Sequence, residues 1–505
     1  MNDLRVLWLP LATATLAVVV LLLDVLSPPA HASRDRRRPV IGWVVVAGLV
    51  AIFAATFFID SSGTAAFGAF RGGPWSTFLG RLFLAAGILG ALGALDDVAE
   101  RMPRRQGEYW LSFVVSLVGM TILPGARDLI LVVVAFELVG VPLYVLAAYA
   151  KTDPPPDAPS SKGLASEAAL KLYLVGATSS AITLFGLALL TGMAGTCRID
   201  ALAASPMTPL GAVGLLFVLA GVGYKIGMVP FHHWVPDTYQ GASTPFVAFL
   251  SVAPKAAGMA LLAVLFTFGL GSARATWMPP IALFAVLSMA VGNLLALPQT
   301  DLRRVLGYSG IAQMGYVLLA LIAADAFGLG MTLFFLAGYV VTNMGAFLVV
   351  HTTARAGGGF GFEGLAGLSK RSPWLAASFL CFLLSLAGIP FVVGFWAKLY
   401  VFLAAWRAGL LGLVGVGIVL AVVGLFYYLR MLRAAYMTDA GELAPPKPAL
   451  ALRLAIILCL AGAVGIGLWP GPLVDDAMRA GHDLLDGRPM AATQQHDGKT
   501  ELARR

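Results

Sequence analysis

Residues 227–234 have the sequence GMVPFHHW and follow an apolar run that begins near residue 208. Proline removes a backbone hydrogen-bond donor and clashes with the preceding helical turn, and a neighbouring glycine loosens the helix further. The stretch therefore predicts that a helix is broken here. If the run crosses a membrane, such a break is tolerated where the irregular backbone lines a cavity, so we expect a polar site at this point.

A second interrupted run contains GIPFVVGFWAK at residues 388–398. Both interruptions combine Gly, Pro, Phe and Trp beside a lysine, which is Lys225 in the first and Lys398 in the second. Paired interruptions in two halves of a membrane protein indicate an inverted repeat with sites near the bilayer midplane. The shared pattern is short, so these residues alone leave both an inverted repeat and a chance likeness open.

Composition places the chain among polytopic membrane proteins. Of 505 residues, 59% are hydrophobic and only 12% are charged, and the mean hydropathy is +0.86. A soluble globular chain carries roughly 25% charged residues. The apolar stretches repeatedly reach the roughly 20 residues that a helix needs to cross a bilayer. We predict an all-α polytopic membrane protein with about 14 transmembrane helices, of which helices 7 and 12 are discontinuous.

The predicted helices fall into four segments along the chain. These are a three-helix segment at 1–107, helices 4–8 at 108–270, helices 9–13 at 271–437, and helix 14 with a polar C-terminal tail at 438–505. The first apolar stretch, from 4 to 26, is too long for a signal-peptide core, so we expect it to be retained as a helix.

Several kinds of site are not expected in this chain. No GxGxxG or P-loop motif follows a strand, and no loop is long enough for a soluble domain, so no nucleotide or flavin site is expected. Cys197, Cys381 and Cys459 are isolated, which predicts small hydrophobes rather than disulfides or metal ligands. The net charge of +8 is spread among loops and indicates no nucleic-acid surface.

Lysine and arginine residues in the connections predict the orientation in the membrane. Fifteen of them follow odd-numbered predicted helices, and only five follow even-numbered ones. Because positively charged loops stay in the cytoplasm, both termini are predicted to lie on the outer side of the membrane.

Four ionisable residues lie inside the predicted transmembrane helices: Glu137, Lys225, Lys255 and Lys398. A charge at bilayer depth is costly, so it needs a partner, a water-filled cavity or a function. A lysine held between apolar surroundings and a carboxylate can both bind and release a proton. We therefore predict that Glu137 pairs with Lys225 and that the three lysines form a proton path connected by water.

Structural interpretations of the same residues stay open at this point. Glu137 and Lys225 can form a static salt bridge that locks two helices together. Lys255 and Lys398 can extend their ammonium groups to the membrane interface.

Other polar residues carry weaker signals. His232 and Asp237 adjoin the first break and are candidate relay residues, because a neutral histidine can donate and accept a proton. His233 is interpreted as a cap or an interface residue. Glu167 and Lys171 have the i, i+4 spacing of an ordinary helix-face pair. Three further residues near helix ends are interpreted as structural: Asp24, Arg81 and His351.

One long segment of the chain resembles a known family. Residues 224–258, YKIGMVPFHHWVPDTYQGASTPFVAFLSVAPKAAG, are similar to subunit N of bacterial proton-pumping NADH:quinone oxidoreductase (complex I), the counterpart of mitochondrial NADH dehydrogenase subunit 2. Supporting segments are LGYSGIAQMGY at 306–316, GLAGL at 364–368 and the stretch at 388–398. The resemblance covers most of the chain from about residue 108 to 437.

The resemblance implies a fold and a set of site residues. The family fold has fourteen helices with two inverted five-helix repeats and discontinuous helices 7 and 12. On the family pattern, Glu137 pairs with Lys225, Lys255 is the central lysine of helix 8, and Lys398 is the lysine of helix 12. His232 and Asp237 also fall on motif positions. The chain departs from the pattern at four other positions: Ser243, Arg303, Arg304 and Phe391.

The resemblance also implies a function. It predicts a proton-translocating membrane subunit that couples quinone reduction in neighbouring subunits to proton transfer along buried Glu and Lys residues. It implies no redox cofactor in this chain, with NADH, flavin, iron–sulfur clusters and quinone bound by partner subunits. The expected partners are other membrane subunits of complex I, including antiporter-like neighbours, in the bilayer of the bacterial inner membrane. Two alternatives are an Mrp-type cation/proton antiporter subunit and a non-conducting scaffold subunit.

Overall fold

Long apolar helices dominate the computed structural model, which describes residues 2–26, 40–102, 105–149 and 161–486. Within these ranges, twelve helices are long and apolar enough to cross a membrane. Two shorter apolar helices, Val40–Ala55 and Pro373–Ala387, occupy the positions of predicted helices 2 and 12. The all-α polytopic membrane fold is confirmed, and the count of fourteen stays a prediction.

The N-terminal region combines helices with a small hairpin. Its helices are α1 (Asn2–Val6), α2 (Trp8–Leu26), α3 (Val40–Ala55) and α4 (Pro74–Arg101), and the antiparallel strands β1 (Gly63–Ala65) and β2 (Phe70–Gly72) lie between α3 and α4. The sequence does not predict this hairpin, because three-residue strands are too short to show an alternating pattern.

The next region contains the first broken helix. Its helices are α5 (Gln106–Ile122), α6 (Leu129–Ala148), α7 (Ser161–Ala194), α8 (Ile199–Ala204), α9 (Pro209–Ile226), α10 (Trp234–Gly241), α11 (Thr244–Leu250) and α12 (Ala253–Leu262). The chain leaves helical geometry between α9 and α10, where the sequence predicts a break. A second, shorter interruption separates α11 from α12, just before Lys255.

The remaining region contains the second broken helix. Its helices are α13 (Arg274–Ala296), α14 (Leu302–Ala323), α15 (Ala326–Thr353), α16 (Leu368–Arg371), α17 (Pro373–Ala387), α18 (Val393–Arg407), α19 (Leu411–Met437), α20 (Leu450–Leu468) and α21 (Gly471–Asp486). The interruption between α17 and α18 coincides with the predicted one.

The centre of the bundle is formed by two almost completely enclosed segments. The most apolar stretches of Thr244–Gly269 and of α14 are completely buried, whereas only about a third of the corresponding stretches of α13 and α19 is buried. Lys255 lies in the first turn of α12 and is therefore enclosed by protein. This position excludes the alternative in which its ammonium group extends to the membrane interface.

The start of the predicted polar tail forms the helix α21. Ala477, Ala480 and Leu484 have the three- to four-residue spacing of one helix face and are buried against α4 and α15. A carboxylate oxygen of Asp483 accepts a hydrogen bond from the backbone N–H of Trp75 at 3.1 Å, and the other forms a 3.2 Å ion pair with Arg71. Helix α21 is thus attached to the first turn of α4 through Asp483.

Some sequence predictions concern residues outside the described ranges. They include the arginines at 34–38, Lys151 and the end of the polar tail from 487 to 505. The predicted orientation of the termini rests partly on these residues and stays a prediction.

Candidate functional site

The first helix break is a stable structure in which the freed backbone groups are bonded. Gly227 ends α9 in the left-handed conformation at φ +72°, where a side chain would be strained. Beyond it, the backbone N–H of Val229 donates to Ser288 Oγ at 2.9 Å, and Trp234 Nε1 donates to the carbonyl of Tyr224 at 2.9 Å. Lys225 therefore projects from a fixed helix end.

Lys225 is buried against aromatic groups of α6. Its side chain is only 7% exposed, and Nζ lies 3.4 Å from the carbonyl oxygen of Phe136, to which it donates. The same Nζ lies 4.3 Å from the centroid of the Phe136 ring and 5.6 Å from that of Tyr144. Cation–π attraction and one long hydrogen bond replace the solvation that the ammonium loses on burial.

The predicted ion pair between Glu137 and Lys225 is not closed in this structure. No cationic nitrogen of the described residues lies within 4.0 Å of the Glu137 carboxylate. Glu137 instead adjoins a small cavity that Ser180 and Thr183 of α7 also line. The reason is the helical rotation of about 100° per residue, which points Phe136 rather than Glu137 at the lysine. The static salt bridge is therefore absent from this structure, and Glu137 acts on Lys225 through space without a direct contact.

Gly140 gives a test of the position of the Lys225 ammonium. A Cβ atom at Gly140 would collide with Lys225 Nζ, the flexible end of a long side chain, and would otherwise lie more than 3 Å from its nearest neighbours. If protons pass through Lys225, as the sequence predicts, Gly140→Ala should fold normally, because the lysine can swing aside, and should slow proton transfer severalfold. The measurement is proton uptake by membrane vesicles that contain matched amounts of the wild-type and variant proteins. Unchanged uptake would show that the ammonium does not need this position.

Lys255 is the most deeply buried of the three lysines. Its side chain has 0% exposure, and its Nζ has no hydrogen-bond partner within the described part of the chain. The ring centroid of Tyr239 lies 5.7 Å away. A Cβ atom at Gly310 would meet Lys255 Nζ at 3.0 Å and the hydroxyl of Tyr339 at 2.8 Å, so these two polar groups border the same spot.

Lys398 binds the end of the second broken helix. Its Nζ donates to the carbonyl oxygens of Leu386 at 2.8 Å and Ala387 at 3.0 Å, which are the last carbonyls of α17. A cation at a helix C-terminus is favoured by the helix dipole and satisfies carbonyls that have no partner within the helix. With 8% exposure, Lys398 is buried and does not extend to the membrane interface.

An open groove leads from the bundle surface to Lys398. It has a volume of about 320 Å³ and is lined by the break at Gly388 and Ile389 and by apolar residues of α18 and α19. The groove opens between exposed apolar side chains of α18 and α19, so Lys398 lies closer to the surface of the bundle than the enclosed Lys255 does.

Polar residues around Lys398 form a hydrogen-bonded network. Gln313 Nε2 donates to the carbonyl of Leu386 at 2.9 Å and to the hydroxyl of Tyr428 at 3.2 Å. Asn293 donates to Tyr316, whose ring centroid lies 5.1 Å from Lys398 Nζ. The sequence analysis missed this network because it considered only ionisable residues. Uncharged Gln and Asn within apolar helices are the signal that identifies it.

The two candidate relay residues differ in their surroundings. His232 is buried, its Nδ1 has no partner in the described ranges, and its ring stacks on His233 at 4.6 Å. Asp237 forms ion pairs with Lys171 at 2.7 Å and Arg304 at 2.8 Å, and Lys171 also forms the predicted pair with Glu167 at 2.7 Å. Asp237 therefore joins α7, α10 and α14, and its role as a relay stays a prediction.

Comparison with known proteins places this arrangement in context. A family model described as NADH:quinone oxidoreductase/Mrp antiporter, TM, matches residues 126–424. The chain is 38% identical to NADH-quinone oxidoreductase subunit N from Heliobacterium modesticaldum over 476 residues, which cover 94% of this chain and 98% of the relative.

Two solved structures have a similar fold. A chain of respiratory complex I from Thermus thermophilus with bound aureothin has a TM-score of 0.77 and 31% identity, and the match covers 92% of this chain and 98% of that one. A chain of the Mrp complex from a Dietzia species has a TM-score of 0.83 at 20% identity, covering 96% and 98% of the two chains. The second likeness concerns the fold alone.

Proposed function

The chain belongs to the NADH-quinone oxidoreductase subunit N family, and from this membership we propose that it carries protons across the membrane through Glu137, Lys225, Lys255 and Lys398. Quinone reduction in neighbouring subunits drives the transfer. NADH, flavin, iron–sulfur clusters and quinone bind to those subunits, and this chain contributes only proton-binding side chains. The subunit lies in the bacterial inner membrane with both termini on the outer side.

The observation that carries the proposal is the state of the three buried lysines. Lys225, Lys255 and Lys398 are 7%, 0% and 8% exposed, and none of them forms an ion pair with a described carboxylate. Ionisable groups inside a membrane protein normally pair with one another or with backbone carbonyls, and they mark ion and proton pathways. Lys225 and Lys398 have carbonyl partners, and Lys255 has no hydrogen-bond partner among the described residues, so no carboxylate bound to any of the three lysines holds it in the charged form.

Buried polar atoms near Lys255 and in the first helix break supply the connection between lysines. The hydroxyls of Tyr239 and Tyr339, Asn343 Oδ1 and His232 Nδ1 have no hydrogen-bond partner among the described residues. Leaving such an atom unbonded costs about 1–3 kcal/mol. Internal water is the partner that removes this cost, since it bonds to two or more such groups at once. Water held by these groups links Lys255 to the first break.

We also propose that the chain contains two inverted repeats, one in helices 4–8 and one in helices 9–13. The two breaks have the same local geometry. Gly227 and Gly388 are both left-handed, and each donates its N–H to the carbonyls three and four residues before it. In both breaks the N–H of the residue after the glycine, Met228 or Ile389, donates at 2.9 Å to the carbonyl that lies four residues before the glycine. With α3 and α17 counted as spans, the total is fourteen.

Lys225→Ala tests the proposed function. We expect NADH-driven proton uptake by inverted membrane vesicles to fall at least about 100-fold, the lower end of the range for loss of a proton-transfer group. NADH:quinone turnover should fall with it because the two processes are coupled. A native gel establishes that the complex assembles, and Lys447→Ala, an exposed loop lysine, is the matched control.

The other outcomes identify the alternatives. Unchanged uptake and turnover in assembled Lys225→Ala complex would overturn the proposal and favour a scaffold that does not conduct protons. Sodium-dependent proton exchange in vesicles without NADH, abolished by Lys225→Ala, would favour a cation/proton antiporter subunit instead.

A further inference from the structure

One face of α15 carries a row of side chains at four-residue spacing. Tyr339, Asn343, Phe347 and His351 succeed one another on this face, because residues i and i+4 of a helix lie one above the other. All four are buried, with exposures of 3%, 0%, 0% and 3%. The row spans roughly 18 Å along the helix axis, given 1.5 Å per residue.

The end of the row near His351 contains a buried carboxylate from another helix. Asp97 of α4 is 2% exposed and forms an ion pair with Arg101 Nε at 2.8 Å. Its second oxygen accepts a hydrogen bond from Ser243 Oγ at 2.9 Å. His351 Nε2 faces Asp97 at 3.9 Å and has no hydrogen-bond partner among the described residues. The imidazole is therefore buried, faces a carboxylate and makes no hydrogen bond through Nε2 within the described residues.

This cluster connects to the surface of the bundle. The other charged groups around it are Asp96, Glu100 and Arg355, and Arg355 forms an ion pair with Glu100. The side chains of Arg101, Glu100 and Arg355 are 47%, 54% and 33% exposed. Protons from solvent can therefore reach the Asp97–His351 pair through a partly exposed charged rim.

The opposite end of the row meets Lys255. The hydroxyl of Tyr339 and Lys255 Nζ both lie next to the Cα atom of Gly310. Asn343 Nδ2 donates to Ser251 Oγ at 2.7 Å, while Asn343 Oδ1 is left without a partner. Between this polar end and His351 lies Phe347, whose ring contacts that of Tyr239 edge-on at 5.7 Å. Phe347 is the one apolar side chain in this row of four.

We propose that Asp97 and His351 form a proton-binding site that exchanges protons with Lys255 along this face of α15. This proposal rests on the proposed function. It adds His351 of α15, which the sequence alone suggests is structural, and Asp97 of α4, which the sequence does not single out. His351 Nε2 binds a proton with its lone pair, and Asp97 stabilises the resulting imidazolium. The imidazolium then gives up that proton to a chain of water that Asn343 Oδ1 holds in place. Water and the Tyr339 hydroxyl, each of which accepts one proton as it releases another, pass it to the neutral amine of Lys255, and total charge is conserved.

Phe347 determines when this transfer occurs. Its ring separates the His351 end from the polar groups near Asn343, so a continuous chain of water forms only when the contact between Phe347 and Tyr239 opens. Tyr239 also lies 5.7 Å from Lys255 Nζ, and so a change in the charge of Lys255 acts directly on one ring of that contact.

The test compares His351→Gln with His351→Ala in the assembled complex. Both variants remove the proton-binding nitrogen, but glutamine retains much of the volume and a hydrogen-bonding group. We expect NADH-driven proton uptake in inverted vesicles to fall about 100-fold in both variants, as for other proton-transfer groups. His482→Gln, which alters an exposed histidine of α21, is the control and should leave the rate unchanged.

Each contrary result has a defined meaning. Near-normal uptake in His351→Gln with loss only in His351→Ala would overturn the inference, because it would show that His351 serves in packing. If neither variant assembles, Asp97→Asn decides by the same criterion, since it preserves the shape of the side chain. Lys255→Met is measured in parallel. If it abolishes uptake while the His351 variants pump normally, the inference fails and the proposed function stands, whereas normal uptake in all variants would remove the proposed function itself.

Discussion

Lys255→Met is expected to abolish NADH-driven proton transport while the complex assembles normally. The ammonium of Lys255 is fully buried and makes no hydrogen bond within the described residues, so its removal leaves no partner charge or acceptor behind. Methionine has a flexible apolar side chain of similar length and fills the same space. Loss of a proton-transfer group slows such steps by about 100-fold or more.

The stability of the variant provides a second, independent readout. Because an unpaired charge no longer has to be buried, the melting temperature of the Lys255→Met complex should equal or exceed that of the wild type. Lys370→Met is the control: Lys370 is 74% exposed and pairs with Asp439 at the surface, so transport and stability should both be unchanged. Normal proton uptake in assembled Lys255→Met complex would contradict the central place given to this lysine.

Lys398→Met is expected to stop transport and, unlike Lys255→Met, to destabilise the protein. The ammonium of Lys398 is a donor to two terminal carbonyls of α17, and methionine cannot replace it. Hydrogen bonds of charged groups contribute about 1.5–3 kcal/mol each, so the two bonds together contribute about 3–6 kcal/mol. Because methionine also removes the cost of burying a charge, the expected net loss of stability is smaller, on the order of 2 kcal/mol. The measurements are proton uptake and thermal unfolding of the purified complex.

Lys398→Arg separates the two roles of this side chain. Arginine retains donors for the carbonyls of Leu386 and Ala387 but stays charged, so it cannot release a proton. We expect the arginine variant to regain much of the stability that Lys398→Met loses and to remain inactive in transport. Recovery of transport by arginine would show that the positive charge, rather than proton exchange, is what the site requires.

Much of the fold is predictable because its signals are local in the chain. Gly227 with Pro230 and Gly388 with Pro390 are enough to predict both breaks, and apolar runs predict the helices that the structure contains. Helix α21 escapes a search for long apolar runs because it is amphipathic, with its apolar residues at helical spacing on one face and charged residues between them, and that face packs against α4 and α15. Propensity along the chain cannot show a contact that is made between distant segments.

The candidate site is predictable in its residues but not in its contacts. The three lysines stand out as charges in apolar helices, and all three are buried as expected. The predicted direct contact between Lys225 and Glu137 is wrong in one respect, because the carbonyl and the ring of Phe136 occupy the place expected for the carboxylate of Glu137. Which of two adjacent residues faces a neighbouring helix depends on the rotation of both helices, and composition does not encode it.

The position of α21 has a consequence for how the protein is made. The ribosome releases the α4 segment long before it synthesises Asp483, yet Asp483 supplies the acceptor for the Trp75 N–H and the partner for Arg71. Until the final residues emerge, the newly inserted N-terminal helices lack this attachment to α15. A messenger truncated shortly before the α21 codons would therefore yield a chain that contains Lys225, Lys255 and Lys398 but in which α4 is not attached to α21. Membrane proteases would readily degrade such a chain. Quality control of this subunit can thus depend on α21 rather than on the residues of the proton path.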